Sequence, residues 1–115
     1  MSMPTYLYHA TLKIYAQSIA DNGLQPRSVG GEKTKYLCMS GTESGATTLG
    51  AQASDIIFRV KSLNLNASSW SKRGAGKQEW RSTEGIDRDF LEYRRNLGTE
   101  SQKTWRPASS FPIGM

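Results

Sequence analysis

Apolar and polar positions along the chain change rhythm several times, and each change marks an element. Thr5-Tyr6-Leu7-Tyr8-His9 crowds aromatic and aliphatic residues into a short run before a polar turn, the signature of a strand. Leu12, Tyr15, Ala16 and Ile19 then recur at helical spacing, which predicts a helix over 12–21 with Thr11 as its cap. Asn22-Gly23 supplies a left-handed stop, and Pro26 bars any continuation. Arg27 to Lys33, with Gly30-Gly31, reads as a loop. Lys35 to Ser40 predicts a second strand, and the small residues up to Ala53 predict a loosely packed helix from Ser44 onward. The strongest strand signal is Ser54 to Val60, whose Ile56, Ile57, Phe58 and Val60 call for a central, buried position. Lys61 to Asn66 leads into a polar loop through Gly76, and Gln78 to Ser82 reads as another short strand. Asp87 to Arg95 fits a strand and a helix equally. Short strands with one clear early helix predict the α+β class.

Composition narrows this picture to one domain. A chain of 115 residues has no room for two independent cores. Its hydrophobic share of 37% and charged share of 22% lie in the globular range. The boundary is expected near 97, with 98–115 rich in Ser, Pro, Gly and Thr as a tail, or as a strap held down by Trp105 and Phe111. No stretch approaches the run of about 20 apolar residues that spans a bilayer, so no membrane partner is expected. MSMPTYLYHA lacks a basic and then apolar leader pattern, which predicts a cytoplasmic site of action or a fragment of a longer chain.

Cys38 and His9 are the sole cysteine and histidine, which excludes an internal disulfide and a thiolate zinc site; no metal is expected. Cys38 lies in the apolar run Tyr36-Leu37-Cys38-Met39, where a buried structural thiol is the commoner case. A net charge of +5 favours anionic partners. Lys72, Arg73 and Lys77 concentrate that charge in a glycine-bearing segment beside Trp70, which reads either as a solvated hairpin loop or as a grip on an anionic acceptor through phosphate contacts and stacking.

Three segments, in order, resemble the ADP-ribosyltransferase superfamily, in its His-Tyr-Glu branch of diphtheria-type toxins and poly(ADP-ribose) polymerases. Tyr8-His9-Ala10-Thr11 resembles the branch's Y-H-G-T strand, and Gly23-Leu24-Gln25-Pro26 its following G-L-x-P turn. Lys35 to Ser40, then Ser44-Gly45-Ala46, is similar to the strand bearing the nicotinamide-stacking tyrosine and the serine before a small-residue helix. Gln78-Glu79-Trp80 resembles the start of the catalytic-glutamate strand, and Ile86 to Leu91 the strand that follows it. The likeness runs over about residues 6–94. Ala10 departs from the usual glycine; Lys77 stands where arginine-modifying members carry Glu or Gln; and Tyr8 stands where RNA 2′-phosphotransferases carry arginine.

The resemblance implies a small split-sheet ADP-ribosyltransferase-like fold with few helices, and NAD as substrate. It implies Glu79 as the carboxylate that stabilises an oxocarbenium-like transition state. Tyr36 becomes the nicotinamide platform, and His9, with Ala10 and Thr11, the holder of the adenosine-side ribose. Ser40 and Ser44 become ligands of the amide or ribose, or else helix caps, and Arg27 a pyrophosphate contact. The implied function is transfer of ADP-ribose to a protein or nucleic-acid acceptor, in the manner of a toxin or effector with an immunity or antitoxin partner. Two other readings stand beside it: a metal-independent ribonuclease using His9 and a carboxylate, and a non-catalytic module of the same fold that binds NAD or nucleic acid.

Overall fold

The structure, a computed structural model, describes residues 3–28, 34–49, 55–73, 79–96, 99–101 and 103–111. In chain order these form β1 (Tyr6–Thr11), α1 (Lys13–Asn22), β2 (Arg27–Ser28), β3 (Lys35–Ser40), α2 (Glu43–Leu49) and β4 (Ile56–Lys61). Two 3-10 turns follow, then β5 (Trp70–Arg73), β6 (Glu79–Ser82), a turn at Arg88–Phe90, β7 (Leu91–Arg95) and β8 (Arg106–Pro107). The class is α+β, as the short strands and early helix predicted. Gly30-Gly31, the expected helix end at Ala53, the strand start at Ser54, Gly76, Lys77 and Gln78 lie outside the described residues.

Helix α1 forms where the periodicity placed it, but its ends are made differently at the two sides. Thr11 does not cap it: this residue is the last of β1 and is buried. The first-turn N–H of Lys13 instead donates to Asp55 Oδ2 at 3.0 Å, a cap brought from 42 positions away by folding. The other end is local. Gly23 has φ of 79° and donates to the Ile19 carbonyl, and a Cβ there would sit 2.2 Å from the Ile86 carbonyl oxygen. Ala16 and Ala20 form the buried stripe, whereas Tyr15 is exposed. Small residues let α1 approach the core closely, and the larger tyrosine on the adjoining face stays outside.

The strands form one antiparallel sheet in the order β5–β6–β3–β1–β4–β7–β8, with β2 added to β3. Strand β4 lies inside it, and its Ile56, Ile57, Phe58 and Val60 are all buried. One side carries the main core, with Leu7, Leu37, Met39, Phe58, Trp80 and Tyr93 packed against α1 and Phe111. The other side holds a small cluster of Ala10, Ala46 and Ile57, flanked by Tyr8 and Trp105. Residues near the C-terminus are therefore part of the fold: β8 pairs with β7, and the Phe111 ring meets Tyr93 edge-on at 4.9 Å. The ambiguous stretch 87–95 is a short turn followed by a strand, with Asp87 Oδ1 accepting from Asp89 N–H to start the turn.

Strand β1 pairs residue for residue with β4 from Tyr6↔Lys61 to Thr11↔Ile56, yet it meets β3 in register only at Tyr8↔Ser40. The sheet thus opens as a fork between β1 and β3. Every residue proposed for the site lies on or beside the two strands of this fork or on β6.

Candidate functional site

The β3–β6 ladder assembles the centre of the site. Its register pairs Cys38 with Arg81 and Ser40 with Glu79, while Leu37 meets Ser82 and Met39 meets Trp80. Side chains alternate along a strand, so Leu37, Met39, Trp80 and Ser82 turn to the core, and Tyr36, Cys38, Ser40, Glu79 and Arg81 share the opposite side. Tyr36, Ser40 and Glu79, distant in sequence, are brought together in this way. Arg81 joins them. Its Nε donates to Glu79 Oε2 at 3.0 Å, and its guanidinium carbon lies 5.6 Å from the Tyr36 ring centroid. The Arg81 and Glu79 side chains are only 14% and 19% exposed, so water screens this pair poorly.

Ser40 ties this face to helix α2. It is buried, and its Oγ accepts from the Thr42 N–H at 3.2 Å. Thr42 Oγ1 in turn accepts from the Gly45 N–H at 2.9 Å and is the cap of α2. The helix accordingly starts one residue earlier than expected, and Ser44, exposed in its first turn, is not the capping residue. Gly45 is needed for space: a Cβ there would fall 2.3 Å from Ser40 Oγ and 2.8 Å from Thr42 Oγ1. A larger residue at 45 would push the helix start away from Ser40.

His9 approaches from β1, on the other side of the alternation. It pairs with Phe58 and shares its side with Leu7, whereas Tyr8 and Ala10 share the side of Ser40. Its Nδ1 lies 3.4 Å from the Cys38 carbonyl oxygen, so the half-buried ring reaches β3 through the backbone at the fork. Burial pulls the imidazole below the ordinary histidine value of 6.5; the hydrogen bond to Cys38 opposes this, and the charge of Arg27 adds to it. His9 is consequently a neutral ring at neutral pH, able to donate from one nitrogen and accept at the other. Ala10 is buried with Ala46 and Ile57, and Thr11 is buried where β1 ends. Arg27 stands exposed on β2, directly across from Tyr36.

The basic segment before Glu79 is not a simple loop. Trp70 to Arg73 is strand β5, paired with β6, and it places Arg73 across from Glu79 and Lys72 across from Trp80. Trp70 is 7% exposed and belongs to the core, so it cannot offer a face for stacking on a base. The expectation of stacking at Trp70 is corrected by the alternation of β5, which turns this residue inward.

Two features escaped the sequence reading. One is Arg81, whose signal was present: two residues after Glu79 on a strand, it must share the glutamate's side. The other lies on the same side of the sheet near β8. Arg59 sits between the rings of Tyr6 and Trp105, 4.2 Å from each centroid, and donates to Glu92 at 2.9 Å. Arg94 lies 5.3 Å from the Trp105 centroid and pairs with Glu43 at the start of α2. Trp105 could not be assigned this role without knowing that β4 and β7 are neighbours. Among the described residues, no group of three or more His, Cys, Asp or Glu is arranged to hold a metal ion, and no helix is long and apolar enough to cross a membrane. Compared with known proteins, the chain matches no family model and no curated sequence.

Proposed function

We propose that this chain is an ADP-ribosyltransferase that takes NAD as substrate and transfers ADP-ribose to a macromolecular acceptor, protein or nucleic acid. The observation that carries the reading is the convergence of Tyr36, Ser40 and Glu79 on one side of the β3–β6 ladder, beside the fork between β1 and β3. Nothing in the local sequence requires this convergence, whereas the chemistry does. Breaking the bond between the ribose C1′ and nicotinamide sends the bonding pair to the ring nitrogen and leaves positive charge on the ribose. Glu79 supplies a fixed carboxylate, in a poorly hydrated setting, that stabilises the charge as it develops. Tyr36 gives the departing ring a flat face, and buried Ser40 holds the start of α2 beside it through the Thr42 N–H. The acceptor's nucleophile then bonds to C1′ and gives up its proton.

Neutral His9 suits the hydrogen-bonding role of the family histidine, with Arg27 positioned on the adjoining strand for the pyrophosphate. Ala10 keeps this strand slightly further from the ligand than glycine would. A ribonuclease would need His9 and a carboxylate in one proton-transfer pair, and alternation sets His9 and Glu79 on different sides of their strands. Action in the cytoplasm as an effector or toxin, with an antitoxin partner, is part of the same proposal.

The test is nicotinamide release from NAD by the purified chain, with and without cell lysate, beside Glu79→Gln. Glu79→Gln should lower turnover by about 10²- to 10³-fold, the usual effect of losing one transition-state electrostatic contact. Stimulation by lysate would identify a macromolecular acceptor. Binding of NAD with no release, unaltered in Glu79→Ala, would establish a binding module instead, and degradation of RNA without NAD a ribonuclease.

A further inference from the structure

Glu79 stands on β6 with Arg81 two residues further on, and alternation sets both side chains on the same side of the sheet. The inner nitrogen of the guanidinium makes the contact between them: Arg81 Nε donates to Glu79 Oε2 at 3.0 Å. The guanidinium carbon stands over the Tyr36 ring of the neighbouring strand, 5.6 Å from its centroid. One side chain therefore meets both the carboxylate and the aromatic platform across the β3–β6 ladder. Arg81 and Glu79 are 14% and 19% exposed, and a charge-assisted hydrogen bond so placed is stronger than its counterpart in water. A glutamate without such a partner keeps its rotamer freedom and turns its carboxylate to whichever side hydrates it best. Nε is separated from β6 by fewer rotatable bonds than the two terminal nitrogens, so a bond through Nε transmits the position of the strand to the carboxylate.

We propose that Arg81 is a positioning residue: its Nε–H holds the Glu79 carboxylate in one orientation relative to Tyr36, with Oε2 engaged and Oε1 left to the substrate. The contact itself is independent of function; that the held carboxylate serves a ribose carbon rests on the transferase reading. A carboxylate stabilises developing positive charge most when it is already in place, because no free energy then goes into ordering it as the bond breaks. Arg81 acts through Glu79 and does not touch the reacting atoms. Its own charge opposes the positive charge that develops on the ribose, so its two effects have opposite signs. Fixation of Glu79 makes Arg81 accelerate bond breaking, whereas its field alone would slow it, and a rate measurement separates the two.

The experiment compares Arg81→Met, Arg81→Lys and Arg81→Gln with the unaltered chain in nicotinamide release from NAD. The glutamine amide nitrogen occupies the same place along the side chain as arginine Nε, where methionine and lysine have carbon. Arg81→Met and Arg81→Lys should lower kcat by about 10- to 100-fold with KM little altered, the scale on which a misplaced catalytic group slows a reaction. Arg81→Gln should recover most of that rate. In a Glu79→Gln background, Arg81→Met should have no further effect, because the group it positions is gone. A purely structural arginine would cost as much there as in the unaltered chain. An unchanged or faster kcat in Arg81→Met, additive losses in the double variant, or rescue by Arg81→Lys in place of Arg81→Gln overturns the proposal. NMR tests the contact without turnover and without altering Arg81: its Nε–H should exchange with water more slowly than that of a solvent-exposed arginine, and should shift in Glu79→Gln. Exchange at the solvent-exposed rate overturns the proposal whether or not NAD is cleaved. A protected Nε–H in a chain that releases no nicotinamide would keep the hold on Glu79 and discard the transferase reading. Glu79-dependent release with additive losses would keep that reading and discard the role of Arg81.

Discussion

Arg59 and Arg81 are built from the same parts but joined to the chain differently. Each is a half-buried guanidinium held by a glutamate and an aromatic ring on the same side of the sheet. Arg59 bridges β4 to Glu92 on β7 and is clasped between Tyr6 from β1 and Trp105 from the segment before β8. Four parts of the chain separated by up to 99 positions meet at this one group. Arg81 has its glutamate two residues away on the same strand and one ring from the next strand. The lesson concerns connectivity. An ion pair that ties distant elements is lost when the chain unfolds and so adds to stability, whereas a pair between near neighbours on one strand forms partly in the unfolded chain and adds little.

This contrast can be broken by a short series of variants, measured by denaturant unfolding. Trp105→Ala should cost the most, about 3 kcal/mol, because it removes the ring against which Arg59, Arg94 and Tyr8 all pack. Arg59→Ala should cost about 2 kcal/mol, from the loss of two ring contacts and an ion pair that is partly shielded from water. Arg81→Gln, which removes one ring contact and one ion pair but keeps a polar group beside Glu79, should cost about 1 kcal/mol. If Arg81→Gln proves as destabilising as Arg59→Ala, the two arginines are both structural and the distinction drawn between them is wrong.

The smallest expected effect concerns His9 and pH. Its folded value lies below the ordinary 6.5 through burial, so the unfolded chain takes up a proton first on acidification. The stability associated with neutral His9 is therefore fully present above pH 6.5, falls as pH drops below that value, and levels off beneath the folded value. His9→Gln should flatten that part of the stability–pH profile. An unchanged slope between the two proteins would mean that His9 is not buried in solution as the fork between β1 and β3 requires.

Much of the framework was legible because it depends on local rules. The run Ile56-Ile57-Phe58-Arg59-Val60 has one reasonable environment, an interior strand, and β4 occupies it. Asn22-Gly23 ends α1 because only a residue tolerant of positive φ closes a helix in that manner. Lys35–Ser40 was bounded correctly, its apolar run Tyr36-Leu37-Cys38-Met39 being flanked by polar Lys35 and Ser40. Other assignments failed where a distant group competed with a near one. Thr11 has the chemistry of a cap but is spent as the end of β1, and Asp55 takes over the task. Trp70 looked like an exposed aromatic in a basic loop, yet the pairing of β5 with β6 turns it to the core.

By itself the sequence determined the α+β class, the places of the main strands and of α1, and a set of residues with chemistry to offer: His9, Tyr36, Ser40 and Glu79. Spacing and residue type suffice for the elements because backbone geometry has periods of about 3.6 and 2 residues and because turns accept few residues, whereas the four residues were singled out by the resemblance. Tertiary structure alone decided which of them share a side. The β3–β6 register set Tyr36, Ser40 and Glu79 together with Arg81, and the Tyr8↔Ser40 pairing turned His9 away toward the fork. A shift of one residue in either ladder would exchange every one of these sides, and the register is fixed by burying Leu37, Met39, Phe58 and Trp80 in a common core rather than by any residue of the site.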